Sequence, residues 1–280
     1  MAVLKGGVAF FDSGIGGLTV LNECRKIIPK EVFYYYGDNR HAPYGNRSKR
    51  EIERFVVRAF KMFTRLRVRA IVLACNTATA VCVENLRKKY AIPIIGAEPA
   101  VYPACKKGGE IFVLSTSATF SSARFKKLCT CANQRFPGAK IRPFACPDLA
   151  GEIEKRIFEK DYDYTHLFPK GKPQGVVLGC THYVYIKNQV EKFYNCPVYD
   201  GNEGIANRLK TVLFEKSRDR QPLLTYSFST NNPYSKNMKK NKGKNSGNPL
   251  NKRRVGNMPI YFLGRCKKAN KRTFEQMFAK

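Results

Sequence analysis

Cys75 and Cys180 end two similar segments, AIVLACNTATA (Ala70 to Ala80) and GVVLGCTHYVY (Gly175 to Tyr185). Each apolar run has the pattern of a buried strand and stops at cysteine, then a polar residue, then Thr or His, with helix-compatible sequence beyond. A strand–turn–helix unit puts both thiols at the carboxyl ends of strands, where open α/β sheets bind ligands. A nearby helix N-terminus lowers a thiol pKa from its free value of about 8.5. One such cysteine would suggest a nucleophile. Two in repeated settings suggest a pair working from opposite sides of one substrate.

Other polar residues cluster in the same kind of turn. His182, one of three histidines, lies two residues after Cys180 and could tune that thiol or share its proton. Asp12-Ser13-Gly14-Ile15-Gly16-Gly17 follows a strand-like run, and its loop N–H groups could hold an anion such as a carboxylate. It is neither the GxGxxG dinucleotide fingerprint nor a P-loop. In Ala42-Pro43-Tyr44-Gly45, the tyrosine either meets a ligand or caps the core. Thr116 and Thr119 bring hydroxyls to a further strand end, to bind polar groups or to cap a helix.

These residues need a frame. Strand-like runs (GGVAFF, VFYYYG, AIVLAC, IPIIG, EIFVLS, GVVLGC, CPVYD) alternate with helical patterns, which predicts an α/β fold with mostly parallel sheets. Asp12 lies 63 residues before Cys75, and Ser115 lies 65 before Cys180, so the halves repeat. The expected architecture is two pseudo-symmetric lobes, each a mostly parallel sheet flanked by helices, with the active site in the cleft between them. Turn-rich hinges at Glu98 to Ala104 and Asp200 to Gly204 assign 1–99 plus 206–280 to the first lobe and 100–205 to the second.

The 280 residues are 43% hydrophobic, enough for one large core or two modest ones, and no apolar stretch is long enough to span a membrane. The start has no signal-peptide pattern, so the ten cysteines read as reduced thiols in a cytoplasmic protein. Apart from Cys75 and Cys180 they are expected to be core or surface residues, and none is assigned to a metal. The net charge is +30, and the last 80 residues carry 19 Lys+Arg against 4 Asp+Glu. The basic stretch 236–254 reads as a surface insertion without firm order. A helix is predicted with Arg47, Arg50, Arg54, Arg58, Lys61 and Arg65 on one face and Ile52, Phe55, Val56, Ala59, Phe60 and Phe63 on the other. Its basic face is either simply solvated or attracts nucleic acid or another anionic surface.

DSGIGG, APYG, ACNTAT, STSAT and GCTH, in that order over roughly residues 6 to 210, resemble the glutamate racemase family. Members of that family are cofactor-independent and supply D-glutamate for bacterial peptidoglycan. The resemblance implies that Cys75 and Cys180 are two acid/base residues flanking the substrate α-carbon. Asp12 would assist on the Cys75 side, with His182 and Glu152 assisting on the Cys180 side. Ser13, Tyr44, Gly45, Asn76, Thr77, Thr116, Thr119 and Thr181, with Asp12 and His182, would hold the carboxylates and ammonium of L- or D-glutamate. It implies no metal or pyridoxal cofactor, and a homodimer.

The chain departs from the family pattern in places. The turn after GCTH reads YVYI where an aromatic followed by Pro-Leu is usual, and Ser115 stands where glycine is usual. Two alternatives are a racemase for aspartate or another amino acid, and a basic nucleic-acid-binding protein on the same scaffold.

Overall fold

A computed structural model describes residues 6–218, 254–255 and 258–278. The basic stretch 236–253 therefore lies outside the described residues. In the first half of the chain β1 (Val8–Asp12), α1 (Gly17–Ile27), β2 (Phe33–Gly37), α2 (Lys49–Arg65), β3 (Ala70–Leu73), α3 (Asn76–Lys89) and β4 (Ile94–Gly96) alternate strand with helix. Then come α4 (Val101–Cys105), β5 (Gly109–Ser115), α5 (Ser117–Ser121), α6 (Ala123–Arg135), β6 (Ala139–Ala145), α7 (Leu149–Arg156) and β7 (Gly175–Leu178). A 3-10 helix (Thr181–Ile186), α8 (Lys187–Tyr194), β8 (Val198–Tyr199) and α9 (Asn202–Arg218) follow. The described chain closes with β9 (Arg254–Val255), β10 (Met258–Phe262) and α10 (Lys267–Phe278).

Two sheets result, a six-stranded one in the order β4-β3-β1-β2-β10-β9 and a four-stranded one in the order β6-β5-β7-β8. All neighbouring strands run parallel except β9 and β10. β1 is buried over its whole length because helices cover both faces of its sheet. Val8 and Phe10 pack with α1, α9 and α10, while Ala9 and Phe11 pack with α2 and α3. The chain reaches the second sheet through α4 and comes back through α9, which buries Ile205, Ala206 and Leu209 among α1 residues.

α2 illustrates how locally these elements are written. Ser48 accepts from the Glu51 N–H while the Glu51 carboxylate accepts from the Ser48 N–H, a capping box that starts the helix. Its six predicted apolar residues are all buried, and Arg50, Arg54, Arg58, Lys61 and Arg65 are exposed. β6 was not among the expected strands. It is an edge strand whose Lys140, Arg142 and Pro143 face solvent, so it lacks the apolar run of its neighbours.

Candidate active site

The cleft is built where the strand ends of the two sheets meet. From the first sheet come the Asp12–Gly17 turn after β1, Cys75 after β3, and the Asp38–Asn46 loop after β2. From the second come Thr116 and Thr119 after β5, α7, and the 3-10 helix after Cys180.

Cys75 is the N-cap of α3; its Sγ accepts from the Ala78 N–H at 3.4 Å and its thiol donates to Ser13 Oγ at 3.5 Å. Only 4% of the residue is exposed. The helix N-terminus acts on this thiol as expected, yet it does not win. Burial, followed by the Asp12 charge, pushes the Cys75 pKa up to about 12, and Cys180 is near enough to add to the rise. Asp12 is itself raised by burial, against the opposing pull of His182.

Cys180 is 7% exposed and lies 3.8 Å from His182 Nδ1. No α-helix follows it directly. The 3-10 helix after it swings His182 back toward the sulfur, so here a side chain acts where Cys75 has a helix N-terminus. The other ring nitrogen, His182 Nε2, meets Glu154 Oε2 at 2.5 Å. Burial alone would lower the His182 pKa, but its hydrogen bonds to Cys180 and Glu154 outweigh that and hold it well above the usual histidine range. Burial likewise opposes ionisation of Glu154, and the histidine overcomes it, leaving that carboxyl below its ordinary value. Both shifts favour an imidazolium–carboxylate pair beside the Cys180 sulfur.

The expectation for Glu152 needs correction. Its carboxylate pairs with Lys155 and Arg156, both at 3.0 Å, on the outer side of α7. Glu154 faces the cleft instead, because residues two apart on a helix point to nearly opposite sides. Besides His182, it accepts from Asn39 Nδ2 at 2.8 Å and the Ile15 N–H at 3.3 Å. The anion held by the DSGIGG loop is thus the protein's own carboxylate.

Close approach across the cleft depends on glycine. A Cβ on Gly14 would stand 2.5 Å from Glu154 Oε2, and one on Gly16 would collide with Thr181 Oγ1 and His182. Thr181 Oγ1 donates to Asp12 Oδ2 at 3.1 Å, tying the two turns together.

The remaining residues gather around these. Thr77, Thr116 and Thr119 form a hydroxyl cluster, with Thr77 Oγ1 2.9 Å from Thr116 Oγ1 and 3.3 Å from Thr119 Oγ1. Thr116 Oγ1 also accepts from the Thr119 N–H and so caps α5. Asn76 Oδ1 is a buried acceptor without a partner among the described residues. Tyr44 is packed in the core, and its hydroxyl donates to Asp38 Oδ2 at 2.8 Å. Its side chain is committed there, leaving backbone at Tyr44 and Gly45 to face the cleft; Gly45 lies directly against Thr116. The cavity of about 920 Å³ lies elsewhere, on the hinge side among α1, the crossovers and Tyr185, and neither thiol lines it. Both thiols and most of the surrounding polar groups are buried.

Two α/β sheets thus face each other, each offering a thiol at a strand end. The family model for Asp/Glu/Hydantoin racemase matches residues 19–209, and the chain belongs to that family. A glutamate racemase of Clostridium botulinum (strain Okra) is 38% identical over 223 residues, covering 76% of this chain and 86% of that protein. Among solved structures, the Escherichia coli glutamate racemase in complex with L-glutamate and the activator UDP-MurNAc-Ala superposes with a TM-score of 0.67. It is 28% identical and the match covers 75% of this chain and 82% of that one. The glutamate racemase of Bacillus anthracis gives a TM-score of 0.65 at 31% identity, with the same coverage.

Proposed function

We propose that this protein interconverts L- and D-glutamate by a two-cysteine proton transfer without a cofactor, in the cytoplasm, supplying D-glutamate for peptidoglycan. The observation that carries the reading is the pairing of Cys75, beside Ser13 and Asp12, with Cys180, beside His182 and Glu154, in one closed cleft. One cysteine as thiolate takes the α-proton, so the Cα–H bond breaks as S–H forms. The opposite thiol then gives its proton to the other face of the carbanion, which inverts the centre. The two sulfurs finish with their protonation states exchanged. His182 and Asp12 reset them, each being a titratable group at one thiol. The threonine hydroxyls, the Asn76 side chain and the backbone at Gly45 supply donors and acceptors for two carboxylates and an ammonium.

The test is circular dichroism of L-glutamate and, separately, D-glutamate with the protein in D₂O without added cofactor. Decay of both signals to zero, with deuterium at the α-carbon, is expected. Decay with aspartate but with neither glutamate enantiomer would replace glutamate as the substrate.

A second property is favoured by α2. Arg50, Arg54, Arg58 and Lys61 line one shallow groove of about 480 Å³ with Glu53 and Val57. Because the apolar face of α2 is spent in the core, the helix cannot insert into a membrane surface. No aromatic side chain stands on its exposed face to stack on bases, which favours a duplex phosphate backbone as partner. Filter binding of duplex DNA that weakens steeply with salt is expected; no retention at low salt would end the idea.

A further inference from the structure

The turn after Cys180 reads Tyr183-Val184-Tyr185-Ile186. The Tyr185 side chain, on the hinge side, reaches from the second lobe to the first. Its hydroxyl donates to the Ile15 carbonyl at 2.8 Å. The Ile15 N–H is engaged from the same side of the cleft by Glu154, and the preceding Gly14 carbonyl accepts from Tyr35 at 2.7 Å within the first lobe. Thus the turn that carries Asp12 and Ser13 is gripped at successive peptide groups, and the grip from the second lobe includes the Tyr185 phenol as a donor. The buried Ile15 carbonyl also accepts from the Leu18 N–H at 3.0 Å within its own turn, so the Tyr185 hydroxyl is its second donor and the one that comes from the other lobe.

Taking the two-cysteine reading as given, we propose that Tyr185 is a positioning residue whose bond to Ile15 is a strut setting the separation of the two thiol-bearing turns. One end of the strut is two residues from Ser13, which holds the Cys75 thiol. The other end lies in the same 3-10 helix as His182, five residues from Cys180. Thr181, on that helix, makes the companion bond to Asp12. Lengthening the Tyr185–Ile15 contact therefore moves both thiols relative to an α-carbon between them, and proton transfer is steep in that distance. Burial, with the Asp12 and Glu154 carboxylates nearby, holds the phenol pKa well above its usual value, so the hydroxyl stays a donor at any pH where the enzyme works.

The experiment compares Tyr185→Phe and Tyr185→Leu with wild type in the full chain. It measures kcat and KM for both glutamate enantiomers, the thermal melting midpoint, and the rates at which iodoacetamide alkylates Cys75 and Cys180, followed by peptide mass spectrometry. Tyr185→Phe is expected to lower kcat about tenfold, because the thiol-bearing turns are then less well spaced for proton transfer, with KM and melting little changed. Alkylation of both thiols should rise several-fold because the cleft parts more often. Tyr185→Leu should match Tyr185→Phe. Wild-type kcat in Tyr185→Phe, or a lowered melting midpoint with kcat intact, overturns the proposal, as does unchanged alkylation. Should Tyr185→Leu fail to fold, Tyr185→Phe alone decides. If wild type racemises neither enantiomer, the functional reading falls instead, and the alkylation rates alone decide the strut.

Discussion

Cys75 holds its proton at neutral pH in the closed cleft, because burial and then Asp12 outweigh the Ala78 and Ser13 contacts that favour the thiolate. Cys75→Ser and Cys180→Ser are each expected to abolish racemisation, a loss of at least about 10²-fold, while exchange of the α-proton from one enantiomer survives. Deuterium exchange followed by NMR would check this, and near wild-type racemisation of both enantiomers by Cys180→Ser would sink the two-base model. The glutamates of α7 separate in the same assay. Glu152→Gln is expected to leave turnover near wild type, since that side chain meets only Lys155 and Arg156. Glu154→Gln should lower kcat markedly by releasing His182. It should also show in stability against pH, with a sign that follows from the shifts. His182, raised above 6.5, contributes fully below that pH and loses its contribution as pH rises through its folded pKa. Glu154, lowered from 4.5, contributes above that pH and loses it as pH falls through its folded pKa. The deficit of Glu154→Gln, about 1–3 kcal/mol, should thus be greatest from pH 4.5 to 6.5. Urea titrations across that range would measure it. Sequence spacing could not choose between Glu152 and Glu154, since only the packing of α7 decides which side faces the cleft.

At the level of elements, most of the chain announces itself. The apolar runs that became β1, β3, β5 and β7 are buried on both faces, so their composition alone marks them. The periodicity of α2 was equally legible. β6 was not, because an edge strand is half solvent and mixes Lys, Arg and Pro with its apolar residues. The turn DSGIGG was visible, but its purpose was not: Gly14 and Gly16 are small because the opposite lobe's Glu154, Thr181 and His182 press against them. Gly16 has ordinary helical dihedrals (φ −57°, ψ −40°), so alanine there is conformationally allowed and its penalty is steric alone. Gly16→Ala is expected to cost about 1–3 kcal/mol and most of the racemisation, by forcing the Cys180 turn away. Denaturation midpoints together with turnover would test it; full activity would show that the lobes adjust freely. Phe60→Ala, at a fully buried position of α2 whose ring packs on Phe63 and Tyr90, should cost about 3–5 kcal/mol with KM unchanged.

For the whole molecule, charge and cleft obey different rules. The net charge of +30 is a matter of composition, and it makes any binding to duplex nucleic acid strongly salt-dependent. Replacing Arg50, Arg54 and Arg58 by Glu should remove that binding in a filter assay and leave racemisation intact, since these side chains line a groove away from the thiols. The α/β class, the alternation of strand and helix, the two cysteine turns and the hydroxyl-rich turns that accompany them were determined by the sequence itself. The reason is that each is a local matter: apolar period, turn residues and caps act within a few positions of one another. Tertiary structure alone decided that the helix dipole loses to burial at Cys75, that Glu154 rather than Glu152 meets His182, and that Tyr185 reaches Ile15. Those outcomes depend on which surfaces of two separate sheets are pressed together, and the desolvation and hydrogen bonding they create belong to neither segment by itself.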